Sequence, residues 1–155
     1  MSALLTAPPE QQPFIARGAS RELAALLAAW HAALERKEVP VLIYTIYRSP
    51  KAQAILYAQG RTTPGKIVTN AKPGQSAHNR EEHGQPAADA FDACPLINGK
   101  PSWDTTGQAL QIWNIMGGVA ETLGLEWGRR YKRLGGDWAH FEYSREIRLT
   151  ERAAA

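Results

Sequence analysis

Two stretches of helical periodicity bracket the apolar runs of this sequence, and they constrain the fold more than any other feature. Ser20 can cap a helix in which Leu23, Leu27, Trp30 and Leu34 share one face, ended by the charged run 35–38 and Pro40. Thr105 and Gln108 form a capping-box pattern ahead of a second helix carrying Leu110, Trp113, Met116, Ala120 and Leu123, which should stop at Gly124. Between them, VLIYTIYR (41–48) is apolar on both faces, as a buried strand is. Ser49, Pro50 and Gly60 then supply the N-cap, first position and stop of a short helix. The run AFDACPL, closed by the turn NGKP, predicts another strand, and HFEYS a last short one. The order predicts an α+β fold with helices packed on one face of a small antiparallel sheet.

A chain of 155 residues, 44% apolar and with five tryptophans, can close one hydrophobic core but not two. A single domain over 1–155 is expected, with 1–19 as an N-terminal extension and 150–155 as a tail. The net charge of +3 is spread among interleaved acids, which argues against a nucleic-acid binder. The single cysteine, Cys94, excludes an intramolecular disulfide. The stretch MSALLTAPPEQQPF has no basic region ahead of an apolar run and does not read as a signal peptide, and no later stretch has the length of a membrane span. A soluble protein, monomeric and without stable membrane insertion, is the expectation.

The residues able to do chemistry are His31, His78, His83, His140 and the acids near them. His31 lies on the polar flank of the first helix. His78 stands in the polar loop PGQSAHN, where little apolar sequence explains it by packing, whereas His140 opens a strand and can be a satisfied structural histidine. Asp92 interrupts an apolar run; it either faces solvent from an edge strand or is buried, and burial of a carboxylate calls for a compensating cation. Two imidazoles and one carboxylate are the ligand set that leaves zinc an open position for water. Hydrolysis then needs a base. Asp137 precedes His140 by three positions, which a plain strand would put on opposite faces; Gly135 and Gly136 permit a turn that brings the two together, although an ordinary turn aspartate fits as well.

The segments TIYRSPKAQAILYAQGRT, GKIVTNAKPGQSAHN, AFDACPLINGKPSWD and GGDWAHFEY, in this order over most of the chain, resemble the zinc peptidoglycan peptidases. That family includes D-alanyl-D-alanine carboxypeptidases and L-alanyl-D-glutamate endopeptidases, and the resemblance is nearest to the phage endolysins among the latter. It implies the zinc DD-peptidase (hedgehog-like) fold, with His78, Asp92 and His140 as zinc ligands and Asp137 as general base. It implies also that Ser76 and Arg48 hold the substrate, Arg48 facing the oxyanion. The implied substrate is the peptide stem of peptidoglycan, cut by an enzyme made in a host cytoplasm and acting at the wall after release.

This sequence departs from the family spacing H-x-x-G-x-A-x-D. An insert, REEHGQPA, separates His78 from Asp92, so Asp89 is a rival ligand; His83 within it either decorates a solvated loop or reaches the metal. Cys94, on the strand face of Asp92, offers a thiol nucleophile or is a small buried hydrophobe. Glu142, two beyond His140, either orients that ligand or faces water.

Overall fold

The computed structural model describes residues 16–132 and 136–145. The stretch read for an export signal, the tail 150–155 and Gly135 lie outside them. Among the described residues three α-helices form, two at the stretches of helical periodicity and one after the Ser49–Pro50 start signal. Helix α1 (Arg21–Arg36) begins at Ser20, whose Oγ accepts from the Leu23 N–H, and buries Leu23, Ala24, Leu27, Trp30 and Leu34. Helix α2 (Pro50–Ala58) begins at Ser49, whose Oγ accepts from the Ala52 N–H, and is followed by Gly60 at φ +80°. Helix α3 (Gly107–Thr122) differs at its start. Thr106, not Thr105, is the cap, and it makes no side-chain cap hydrogen bond, so the predicted capping box does not form. Gly107 enters the helix at φ +58°, and the buried face carries Ala109, Trp113, Met116, Gly117 and Ala120, with Leu110 only half-buried.

The sheet is antiparallel throughout. Its strands are β1 (Val41–Thr45), β4 (Ala90–Ile97), β5 (Lys100–Pro101), β6 (Glu126–Trp127) and β7 (His140–Glu142), while β2 (Glu81–Glu82) and β3 (Gln85–Pro86) form a separate hairpin. The order is β1-β4-β7-β6, with β5 turned back on the end of β4 through Asn98 and Gly99, both at positive φ. Strand β1 is shorter than predicted and is not buried on both faces. Among the described residues it pairs only with β4, and it alternates half-buried with exposed residues, because Leu42 and Tyr44 face outward on the open side of the sheet.

Helices α1 and α3 pack together over one face of the sheet, sealed by aromatic rings. Phe91 of β4 stacks on Phe141 of β7 at 5.1 Å, and Trp30 of α1 lies tilted against both at 5.0 and 5.2 Å. The buried Trp30 indole N–H donates to the Met116 carbonyl at 2.9 Å, which ties α1 to α3. Gly117 is required by this packing, since a Cβ there would lie 2.0 Å from the Trp127 ring. Ala16 and Ala19, grouped by sequence with the extension, are part of the core, and Ala19 bridges Ala88. Helix α2 adds nothing apolar to it. Its one buried residue is Gln53, a polar side chain directed elsewhere. Among the described residues no helix is long and apolar enough to cross a membrane.

Candidate active site

Strand register assembles the site. Asp92 of β4 lies directly opposite His140 of β7, as Phe91 lies opposite Phe141. Side chains alternate along each strand, so the two phenyl rings enter the core while the carboxylate and the imidazole share the other face. His78 comes from a 3-10 turn, Ala77–Asn79, capped by the Ser76 hydroxyl, which accepts from the His78 N–H at 3.2 Å. One ligand-type atom from each of His78, Asp92 and His140 lies within 4.8 Å of the others. His78 Nε2 is 3.2 Å and His140 Nδ1 3.5 Å from the same oxygen, Asp92 Oδ1.

The far side of each ring is held by the protein. His78 Nδ1 donates to the Ile46 carbonyl at 2.7 Å, and His140 Nε2 is 2.8 Å from Glu142 Oε2. These bonds turn the remaining nitrogen of each imidazole toward Asp92, as in carboxylate–histidine–metal arrangements. Burial opposes charge on His140, but hydrogen bonds to Asp92 and Glu142 outweigh it and push its pKa up to about 10. Burial likewise opposes ionisation of Asp92, yet the hydrogen bonds from His140 and His78 hold its carboxyl well below the ordinary range. The centre therefore calls for positive charge, which is what a divalent ion supplies, and two imidazole nitrogens with one carboxylate oxygen are a donor set suited to zinc.

A groove of about 810 Å³ holds these three residues together with Arg48, Ser76, Tyr131, Lys132, Asp137 and Glu142. Asp137 and His140 meet in a turn: the Asp137 carbonyl accepts from the His140 N–H at 3.2 Å, with Gly136 before them at φ +85°. The turn seats directly on Gly128, whose carbonyl accepts from the Asp137 N–H at 2.8 Å. Desolvation, the largest influence on Asp137, raises its pKa; His140 lowers it and the like charge of Asp92 raises it, and the net shift is upward. An elevated carboxyl at a groove wall suits proton transfer near neutral pH.

Arg48 is part-buried at the wall of this groove. Its guanidinium lies 3.4 Å from Asp92 Oδ2 and donates to Gln53 Oε1 at 3.1 Å. Gln53 was not singled out from the sequence. Fully buried, it also donates to the Ala71 carbonyl at 2.9 Å, so it joins α2, Arg48 and the loop leading to His78. Asn79, likewise buried, donates to the Arg48 carbonyl at 2.8 Å and accepts from the Gly74 N–H. The only sequence signal for either was an amide within a segment that already carried chemistry.

Asp89 is placed away from the centre. It is buried against Ser20, which donates to it at 2.6 Å, and against Arg145 at 2.9 Å, so it fastens Arg145 to the start of α1. His83 sits exposed at the tip of the β2–β3 hairpin at φ +50°, and His31 pairs with Glu35 on α1 at 3.5 Å. Cys94 is buried, and desolvation pushes its thiol pKa up, the wrong direction for a nucleophile.

An antiparallel sheet with this two-histidine, one-carboxylate centre at its open face defines a class: the chain belongs to the peptidoglycan peptidases comprising L-alanyl-D-glutamate endopeptidases and D-alanyl-D-alanine carboxypeptidases. It is 39% identical over 119 residues to the peptidoglycan L-alanyl-D-glutamate endopeptidase CwlK of Bacillus subtilis (strain 168), an alignment covering 74% of this chain and 66% of that protein. The fold is shared with the L-Ala D-Glu endopeptidase ChiX of Serratia marcescens, at TM-score 0.57 and 21% identity, over 92% of this chain and 91% of the other. It is shared also with the LD-carboxypeptidase LdcB, at TM-score 0.62 and 16% identity over 93% of this chain and 68% of that one. The vancomycin resistance D,D-dipeptidase VanXYg matches at TM-score 0.54 and 17% identity, over 87% and 55%. No protein-family model matches the chain.

Proposed function

We propose that this chain is a zinc-dependent peptidoglycan hydrolase that cuts the L-alanyl-D-glutamate bond of the peptide stem. The observation that carries the proposal is the convergence of His78, Asp92 and His140 on one point in a groove that also holds Asp137 and Arg48. The bond assignment is supported by the 39% identity to an endopeptidase of that specificity. His78 Nε2, Asp92 and His140 Nδ1 would hold the ion, which supplies Lewis acidity and a water acidified to a pKa of about 7.

The remaining chemistry belongs to the chain. Asp137, with its raised pKa, takes a proton during attack on the scissile carbonyl and delivers it to the leaving nitrogen. Arg48, held in place by Gln53, offers a fixed guanidinium to the negative charge that develops on the carbonyl oxygen. Ser76 lies on the same wall and offers its hydroxyl to the stem peptide.

The resemblance to phage endolysins supports a role in host lysis, with synthesis in the host cytoplasm and action on the wall after release, as a monomer with no nucleic-acid partner. Mass spectrometry of muropeptides digested by the protein tests the function. New N-terminal D-glutamate is expected; free D-alanine would show a carboxypeptidase, and undigested wall with a zinc-loaded protein would refute the hydrolase.

A further inference from the structure

The open face of the sheet carries an aromatic pair that the core does not use and the groove does not contain. Trp103, just beyond β5, is 57% exposed and Tyr44 of β1 is 43% exposed, with Leu42 beside them at 36%. Their rings meet edge to face at 6.0 Å, and the Trp103 indole N–H donates to the Tyr44 hydroxyl at 3.4 Å. Two large rings held in a fixed relation while open to water lose apolar burial for no structural gain.

Their position is set by the backbone. Ile43 pairs with Ala93 and Thr45 with Asp92, so Tyr44 is the extra residue where the register shifts, beside the metal-ligand position. Such bulges re-aim side chains next to active sites. Tyr44 thus stands one residue along β1 from the position opposite Asp92, and it brings Trp103 to that edge of the metal-ligand centre. The Tyr44 hydroxyl accepts from Trp103, and its own proton is left to donate; burial, the largest influence, outweighs the opposing hydrogen bond from Trp103 and, with the charges of Asp92 and Asp137, pushes its pKa up to about 12 and keeps that proton in place.

The substrate is asymmetric about the scissile bond. On the D-glutamate side the stem carries carboxylates. On the other side a single L-alanine, about 3.5 Å of extended chain, separates the bond from the lactyl ether of a muramic acid. A pyranose ring presents an apolar C–H face that packs on an indole and hydroxyl and acetamido groups that accept from a phenol.

We infer that Tyr44 and Trp103 form a sugar subsite that binds the muramic acid adjoining the scissile bond, so that the enzyme recognises the stem by its attachment to glycan. This rests on the L-alanyl-D-glutamate assignment, since cleavage at the far end of the stem would leave the sugar several residues away.

The test compares two substrates in the zinc-loaded protein: a disaccharide-linked stem peptide and the same peptide without sugar. Trp103→Ala, a change at an exposed position, should lower the preference for the glycan-linked substrate, read as the ratio of the two KM values, by about tenfold, and Trp103→Phe should restore most of it. An unchanged ratio in Trp103→Ala overturns the subsite, as does a monomer–dimer shift in sedimentation with the ratio intact, which would make the face an interface between copies. Wild-type protein that releases only D-alanine overturns the bond assignment and with it this inference; the identity of the wild-type product separates that failure from failure of the subsite alone.

Discussion

Gly128 is where fold and chemistry touch most closely, and its replacement by alanine gives a sharp expectation. A Cβ there would stand 2.4 Å from the Asp137 carbonyl oxygen and 2.9 Å from His140 Cβ, against about 3.4 Å for ordinary contact. Both neighbours are backbone or backbone-proximal and cannot swing aside, so the turn carrying Asp137 and His140 must retreat by about 1 Å. That retreat also stretches the 2.8 Å hydrogen bond from the Asp137 N–H to the Gly128 carbonyl. Displacement of a catalytic group by about 1 Å costs on the order of 100-fold, or about 2.7 kcal/mol of transition-state stabilisation. The assay is kcat/KM on a soluble stem peptide, corrected for the folded and zinc-loaded fractions by thermal melting and metal analysis. Gly117→Ala serves as the contrast: its Cβ would meet the Trp127 ring at 2.0 Å, so it should lower stability by about 1–3 kcal/mol through overpacking while each folded molecule stays active. A Gly128→Ala protein that is folded, metal-bound and fully active would refute the claim that this glycine seats the catalytic turn.

Other outcomes follow from the same geometry. Asp137→Asn should retain zinc and lose about 10²- to 10⁴-fold in kcat, as measured by peptide turnover beside metal content. Because Asp137 must be ionised to accept a proton and its pKa is raised, activity should fall as pH drops through a value above the ordinary 3.8; an acid limb at or below 3.8 in the kcat/KM profile would contradict this. Glu142→Gln should weaken zinc by about 10- to 100-fold in a chelator competition, because it removes the carboxylate 2.8 Å from His140 Nε2. Alkylating reagents should leave the folded enzyme unmodified at Cys94 and fully active, since the thiol is buried; inactivation that tracks modification of Cys94 would revive the thiol mechanism.

Much of the site was legible because its residues sit in short local signals. The His78 loop, the acid in an apolar run, the Asp137–His140 spacing and Arg48 ahead of a helix cap could each be found in the sequence. What the sequence left open was nonlocal. Whether Asp89 or Asp92 meets the histidines depends on the pairing of Asp92 with His140 across β4 and β7, which no window around either acid reveals. Gln53 reads as an ordinary helix amide until α2 folds against Arg48 and the 69–79 loop. Strand β1 looked buried because Leu42 and Tyr44 are apolar, and apolar residues turned toward solvent mimic a core strand. The capping box at Thr105 failed because Gly107 bends the entry to α3, a backbone choice that side-chain patterns do not encode.

The ladder between β4 and β7 has one more implication. Because Phe91 and Asp92 face Phe141 and His140 in the same two steps, sliding one strand past the other by a residue would drive that strand's carboxylate or imidazole into oil and push its phenyl ring into water. A misregistered chain would therefore be inactive and insoluble at once. Nearly every soluble molecule in a preparation should carry an assembled centre, and metal stoichiometry becomes a direct gauge of correct folding.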